Sequence, residues 1–136
     1  MILLIQRVSE ANVRVDDDIV GQIGPGLLAF VAVEPADDDA TARRLVDRAV
    51  SYRVFADDAG RMNLSLADTG GELLLVSQFT LAADTRKGLR PSFTAAAPPE
   101  LGRRLFERVV EYARAALPCK VATGRFGADM KVALVN

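Results

Sequence analysis

The sequence predicts an α+β fold, with two amphipathic helices laid against a mostly antiparallel sheet. Three features predict it. Short apolar or alternating stretches, broken by turn residues, fill most of the first and middle thirds of the chain. Two longer stretches, beginning near Asp38 and near Pro98, carry apolar residues at helical spacing. One run, Leu27 to Val33, is apolar throughout and reads as a central strand buried on both faces.

Taken in order, residues 2–8 read as a buried strand, and Asn12-Val13-Arg14-Val15 begins an alternating one. The second turns at Asp16-Asp17-Asp18 toward Ile19–Ile23, giving a hairpin. Gly24-Pro25-Gly26 marks a tight turn into the apolar run. Asp37, Asp38 and Asp39 are N-cap candidates for a helix over about 38–51, with Ala42, Leu45, Val46, Ala49 and Val50 on one face. Short strands are expected at 52–55, 62–66 and 72–80, with hairpin turns at Asp57-Asp58-Ala59-Gly60 and at Gly70-Gly71 and antiparallel pairing between them. Pro98 and Pro99 suit the start of the second helix, whose stripe Leu101, Leu105, Val109, Tyr112, Ala113 and Ala116 ends near Pro118. Strands over 119–123 and 129–135 close the chain. No repeat, linker or low-complexity segment divides the sequence, and one domain over 1–136 is expected.

Composition excludes several chemistries. With 17 basic and 18 acidic side chains the net charge is −1, so any contact with a polyanion must be local. There is no histidine, which removes the usual general base and rules out a Ser-His-Asp arrangement. The single Cys119 has no partner for an internal disulfide and no metal-ligand spacing; a structural role and a reducing, cytoplasmic setting are expected. The longest apolar run is far below the roughly 20 residues that span a bilayer, and the start Met1–Arg7 lacks the features of a secretion signal.

Chemistry is expected where the apolar strand Leu73–Val76 delivers Ser77, Gln78 and Thr80 at its carboxyl end. Read alone, two hydroxyls and an amide at a strand end are most simply ordinary turn residues. Ser77-Gln78-Phe79-Thr80-Leu81, however, resembles the signature of the D-aminoacyl-tRNA deacylases. The likeness continues through Ala82–Thr85, Gly88–Phe93, Ile5–Val8, Met62–Leu64, Thr123–Met130 and Val132–Asn136, in order along the whole chain.

That resemblance implies a barrel-like core and a homodimer with sites at the subunit interface. It also implies hydrolysis of the ester joining a D-amino acid to tRNA, without metal or diffusible cofactor. Glycyl esters are possible further substrates. Ser77, Gln78, Phe79 and Thr80 would line the catalytic pocket, Met130 would form part of its wall, and Arg7 would hold a Gly-Pro motif in orientation. Family members continue into that Gly-Pro segment where this sequence ends at Asn136, and Gly24-Pro25 matches only a turn. Thr80 has been proposed as a nucleophile in the family, but a threonine needs a base and no histidine is present, so backbone amides and the RNA 2′-hydroxyl are the expected agents. Arg86, Lys87 and Arg90, directly after the motif, are read as phosphate contacts, the alternative being a solvated loop. Two other functions are open at this point: a dimeric module that binds RNA ends or nucleotides without turnover, and a small esterase unconnected with RNA.

Overall fold

The computed structural model describes residues 1–136 and has three layers. The middle layer is a four-stranded sheet of β1 (Ile2–Val8), β4 (Gly26–Ala32), β7 (Glu72–Ser77) and β8 (Val121–Thr123), in that spatial order. One of its faces carries helices α1 (Asp39–Ser51) and α3 (Pro99–Ala116). Against the other lies an antiparallel sheet of β3 (Asp18–Ile23), β2 (Glu10–Val15) and β9 (Met130–Val135).

Alternation along β4 and β7 explains the layering. Leu27, Ala29, Val31, Leu73 and Leu75 point to Ala42, Val46 and Val50 of α1 and to Phe106, Val109 and Ala113 of α3. Leu28, Leu74 and Val76 point the other way, to Ala11, Val13 and Ile23. Both faces are thus dry, and each fully buried leucine stabilises the fold by about 2 kcal/mol relative to exposure.

Both expected helices form. Asp38 caps α1, its carboxylate accepting the Thr41 N–H at 2.7 Å. Pro99 opens α3, where its missing N–H costs nothing. The hairpin at Asp16–Asp18 and the one at Asp57–Gly60, joining β5 (Phe55–Ala56) to β6 (Met62–Leu64), are also present.

Four expectations are corrected. Gly70-Gly71 is not a hairpin turn: Ser65 and Asp68 form a capping box that starts a one-turn helix, α2 (Leu66–Thr69), and Gly70 ends it in the left-handed conformation. The strand that follows, β7, pairs parallel with β4 and with β8, so the central sheet is mixed and only the outer sheet and the β5–β6 ribbon are wholly antiparallel. No barrel closes; the strands fall into three separate sheets. Strand β1 occupies a sheet edge and is half-buried, with only Val8 enclosed, because neither helix covers it fully.

No helix is long and apolar enough to cross a membrane.

Candidate active site

The parallel pair β4–β7 ends at one edge of the central sheet, and there the chain breaks its regular pattern. The Gln78 N–H donates to the Val31 carbonyl at 2.8 Å, the last bond of that pairing. Residues Phe79–Ala82 then form a short 3₁₀ turn in place of the longer strand expected over 72–80. Ala82 is buried and pins it. Within this turn the first bond runs from Leu81 N–H to the Gln78 carbonyl at 3.2 Å, so the N–H groups of Phe79 and Thr80 are left to other acceptors.

A cleft of about 560 Å³ opens beside this turn. Val76, Ser77, Gln78 and Phe79 line it. Phe79 is exposed and meets Phe93 edge-to-face, with ring centroids 5.2 Å apart, and both rings line the cleft. The next wall comes from Ala96 and Ala97, tied in by the Ala97 N–H to the Val33 carbonyl at 2.9 Å, and from Pro99, Gly102 and Phe106 at the start of α3. Phe126 to Met130 and Val132 line it as well, following the bond from Gly124 N–H to the Leu75 carbonyl at 2.9 Å that ties their segment to β7. Gly124 leaves room for Met130, since a Cβ there would stand 2.6 Å from the Met130 sulfur.

Ser77, Gln78, Phe79 and Met130 therefore share one cleft. Thr80 is adjacent, half-buried, and turned back so that its hydroxyl oxygen receives the side-chain amide of Gln78. Neither residue is a base. The loop carrying Arg86, Lys87 and Arg90 is exposed and closed at its neck by paired backbone bonds between Asp84 and Ser92, at 2.8 and 3.0 Å. Arg86 is ion-paired with Asp84 at 2.6 Å, and that hydrogen bond holds the Asp84 carboxyl below its ordinary range. Arg86 is thus partly neutralised within the loop, whereas Lys87 and Arg90 take part in no ion pair of the chain.

Arg7 lies elsewhere. It pairs across β1–β4 with Leu27, whereas Ser77 pairs with Val31, four residues or about 13 Å further along β4. Its guanidinium donates to the Val54 carbonyl at 2.8 Å and lines a separate, shallow cavity with Pro25, Gly26 and Asn136.

Sequence reasoning gave no site role to Phe93, Phe126 or Asp129. Phe93 and Phe126 had no local signal, because chain folding alone brings them to the cleft. Asp129 had a weak one, a lone carboxylate immediately before an alternating strand. It is the only charged residue lining the cleft. Cys119 is half-buried, and burial pushes its thiol pKa up, as befits a structural residue. No group of three or more Cys, Asp or Glu side chains is placed to hold a metal ion.

The chain has known relatives along its whole length. A D-aminoacyl-tRNA deacylase of Stenotrophomonas maltophilia is 65% identical over 136 residues, all of this chain and 93% of that protein. One from Xanthomonas oryzae is 63% identical over the same extent, and one from Thioalkalivibrio sulfidiphilus is 62% identical over 91% of its length. Among solved structures, a c-Myc DNA unwinding element binding protein superposes with a TM-score of 0.93 at 31% identity, covering 98% of this chain and 91% of that one. A probable eukaryotic D-amino acid tRNA deacylase shares the fold with a TM-score of 0.86 at 17% identity, over 97% of this chain and 91% of the other. The family described as D-Tyr-tRNA(Tyr) deacylase matches residues 4–136, which include the turn at Ser77–Thr80 and every residue lining the cleft, and the chain belongs to that family.

Proposed function

We propose that the cleft beside Ser77–Thr80 is where this chain, a D-aminoacyl-tRNA deacylase, cuts its substrate, and that residues 1–136 act as one deacylase domain within a homodimer. The reaction is hydrolysis: water adds to the ester carbonyl, the bond to the terminal ribose oxygen breaks, and D-amino acid and free tRNA leave. Apolar walls suit the adenine and the amino-acid side chain, and Ser77 and Gln78 supply polar groups. The observation that carries the reading is the turn itself: the Phe79 and Thr80 N–H groups are unused within it, beside a cleft of about 560 Å³. Such preorganised donors, aimed where the oxyanion develops, are worth about 3 kcal/mol each in acyl transfer. The neighbouring ribose 2′-hydroxyl then aligns the water, so no side-chain base is needed.

Lys87 and Arg90, with a smaller part for Arg86, grip phosphates of the acceptor strand. Met130 shapes the wall that meets the amino acid. Arg7 supports the same reaction from a second copy of the chain, since the width of β4 and about 13 Å of its length separate it from Ser77 in one protomer. Glycyl esters fit the same cleft, having no side chain to be refused, and a tRNA substrate implies a cytoplasmic setting.

A second reading draws on the DNA-binding name of one structural relative: a nucleic-acid-binding module without turnover. Release of D-tyrosine from D-tyrosyl-tRNA separates the two when the protein is held at one hundredth of the substrate. Release of many equivalents per chain is expected; a ceiling near one equivalent would favour the binding module.

A further inference from the structure

Four arginines lie over aromatic rings: Arg43 and Arg108 over Tyr112, Arg48 over Tyr52, and Arg103 over Phe126, its guanidinium carbon 5.1 Å from the ring centroid. Of these rings only Phe126 lines the cleft. It is braced in turn by the buried Phe106, with ring centroids 6.1 Å apart. Arg103 directly follows Gly102, another lining residue, near the start of α3. It is exposed and enters no ion pair, although Glu100 and Glu107 stand three and four residues away on the same helix. By contrast, Arg108 is paired with Asp39 and Glu111, and Arg48 donates to the Tyr52 hydroxyl. A guanidinium stacked by its face keeps the N–H donors along its edge free for a second partner, and their planar fork matches two oxygens of a phosphate.

The substrate of the proposed function carries such a group close to its reacting atoms. The ester sits on the ribose of the terminal adenosine, and the phosphate that joins this nucleoside to the rest of the RNA is attached to the 5′ carbon of the same ribose. With the ester beside Ser77–Thr80, that phosphate is the first to emerge from the cleft. We propose that Arg103, seated on Phe126, binds it. The inference rests on the deacylase reading of the cleft and adds a contact one sugar away from the chemistry, separate from those of Lys87 and Arg90 with the acceptor strand. A mostly apolar cleft gives the terminal nucleoside little to stop it sliding. One charge-assisted, two-pronged contact at the rim fixes the nucleoside, and with it the scissile ester, against the turn. Arg103 is thus a substrate-binding residue that sets the depth at which the ester rests.

The test uses D-tyrosyl-tRNA in two forms, one natural and one in which the phosphate 5′ of the terminal adenosine is replaced by an uncharged methylphosphonate. Each enzymatic rate is divided by the spontaneous hydrolysis rate of the same ester. The native protein should favour the natural form by about tenfold or more in normalised kcat/KM, the range expected for a hydrogen bond to a charged group. In Arg103→Gln this preference should collapse toward one, because the substitution and the methylphosphonate remove the same contact. Arg114→Gln removes an equal charge about 16 Å further along α3 and should keep the native preference. Because each preference is a ratio within one protein sample, loss of folded material does not mimic the result. An Arg103→Gln protein that retains the native ratio overturns the inference, as does a native protein indifferent to the methylphosphonate or an Arg114→Gln protein that loses the ratio as fully. A native protein that hydrolyses neither form overturns the deacylase reading itself.

Discussion

The side-chain amide of Gln78 donates to the hydroxyl oxygen of Thr80. A lone pair engaged in this way is less available for attack, and an amide, whichever way it is turned, takes no proton from an alcohol at neutral pH. The Thr80 hydroxyl oxygen is thus occupied by its own neighbour within the turn.

Replacement of Thr80 by Ala should therefore keep turnover of D-tyrosyl-tRNA within about tenfold of native, against the roughly 10⁴-fold or greater loss that follows removal of a true nucleophile. Single-turnover rates decide this. The companion substrate is a tRNA ending in 2′-deoxyadenosine, which should be hydrolysed far more slowly by native and variant proteins alike. Equal rates on the two tRNAs would remove the RNA hydroxyl from the mechanism.

The ion pair between Asp84 and Arg86 changes what the exposed loop should do. Joint replacement of Lys87 and Arg90 by Ala should flatten the dependence of tRNA affinity on salt by up to about two units of log–log slope, one for each phosphate no longer neutralised. Arg86→Ala alone should change it by less than about one unit. Binding titrations between low and moderate salt measure both, and an unaltered slope in the double variant would make the loop an ordinary solvated surface.

Two glycines separate stability from activity. At Gly26 a Cβ would stand 1.9 Å from the Glu72 carbonyl oxygen, within the backbone of the parallel pair, so Gly26→Ala should destabilise the fold by about 3 kcal/mol or more in denaturant titration. At Gly124 the obstacle is the Met130 sulfur, the mobile part of a flexible side chain. Gly124→Ala should cost about 1 kcal/mol of stability but displace Met130 toward the cleft, raising KM for D-aminoacyl-tRNA.

The amino terminus provides a pH signature. The Met1 ammonium lies within 2.6 Å of Asp37 and is also paired with Glu34. Burial opposes its charge, but the hydrogen bonds it donates to Asp37 and Glu34 outweigh this and raise its pKa above the ordinary 8.0. A group raised in the folded state contributes its full stability below the unfolded pKa and loses it as pH rises through the folded one. As pH rises above 8.0 the thermal midpoint should thus fall more steeply in the native protein than in one carrying Glu34→Gln and Asp37→Asn.

Helices α1 and α3 were legible because their signals are local: the Asp38 cap, Pro99 at the start, and one apolar face each. Strand β4 was legible from its unbroken apolar run, which both layers need. The parallel partners of β7 were not, since nothing within Glu72–Ser77 specifies whether its neighbour runs with or against it. Gly70-Gly71 misled because a glycine pair marks a hairpin or a helix end alike; the Ser65–Asp68 capping box just upstream is the signal that distinguishes them. At the site, Ser77–Thr80 stood out as polar residues ending an apolar strand, whereas Phe93, Phe126 and Asp129 reach the cleft from distant segments. Arg7 marks the limit of such reading, for its sequence shows a charge at a strand end and no sign of which cavity it serves.

The most direct test charges one tRNA separately with D- and with L-tyrosine and follows amino-acid release with the full chain far below substrate. The account predicts many turnovers on the D-ester while the L-ester decays at its spontaneous rate. Equal hydrolysis of both, or release that stops near one equivalent per chain, would contradict it.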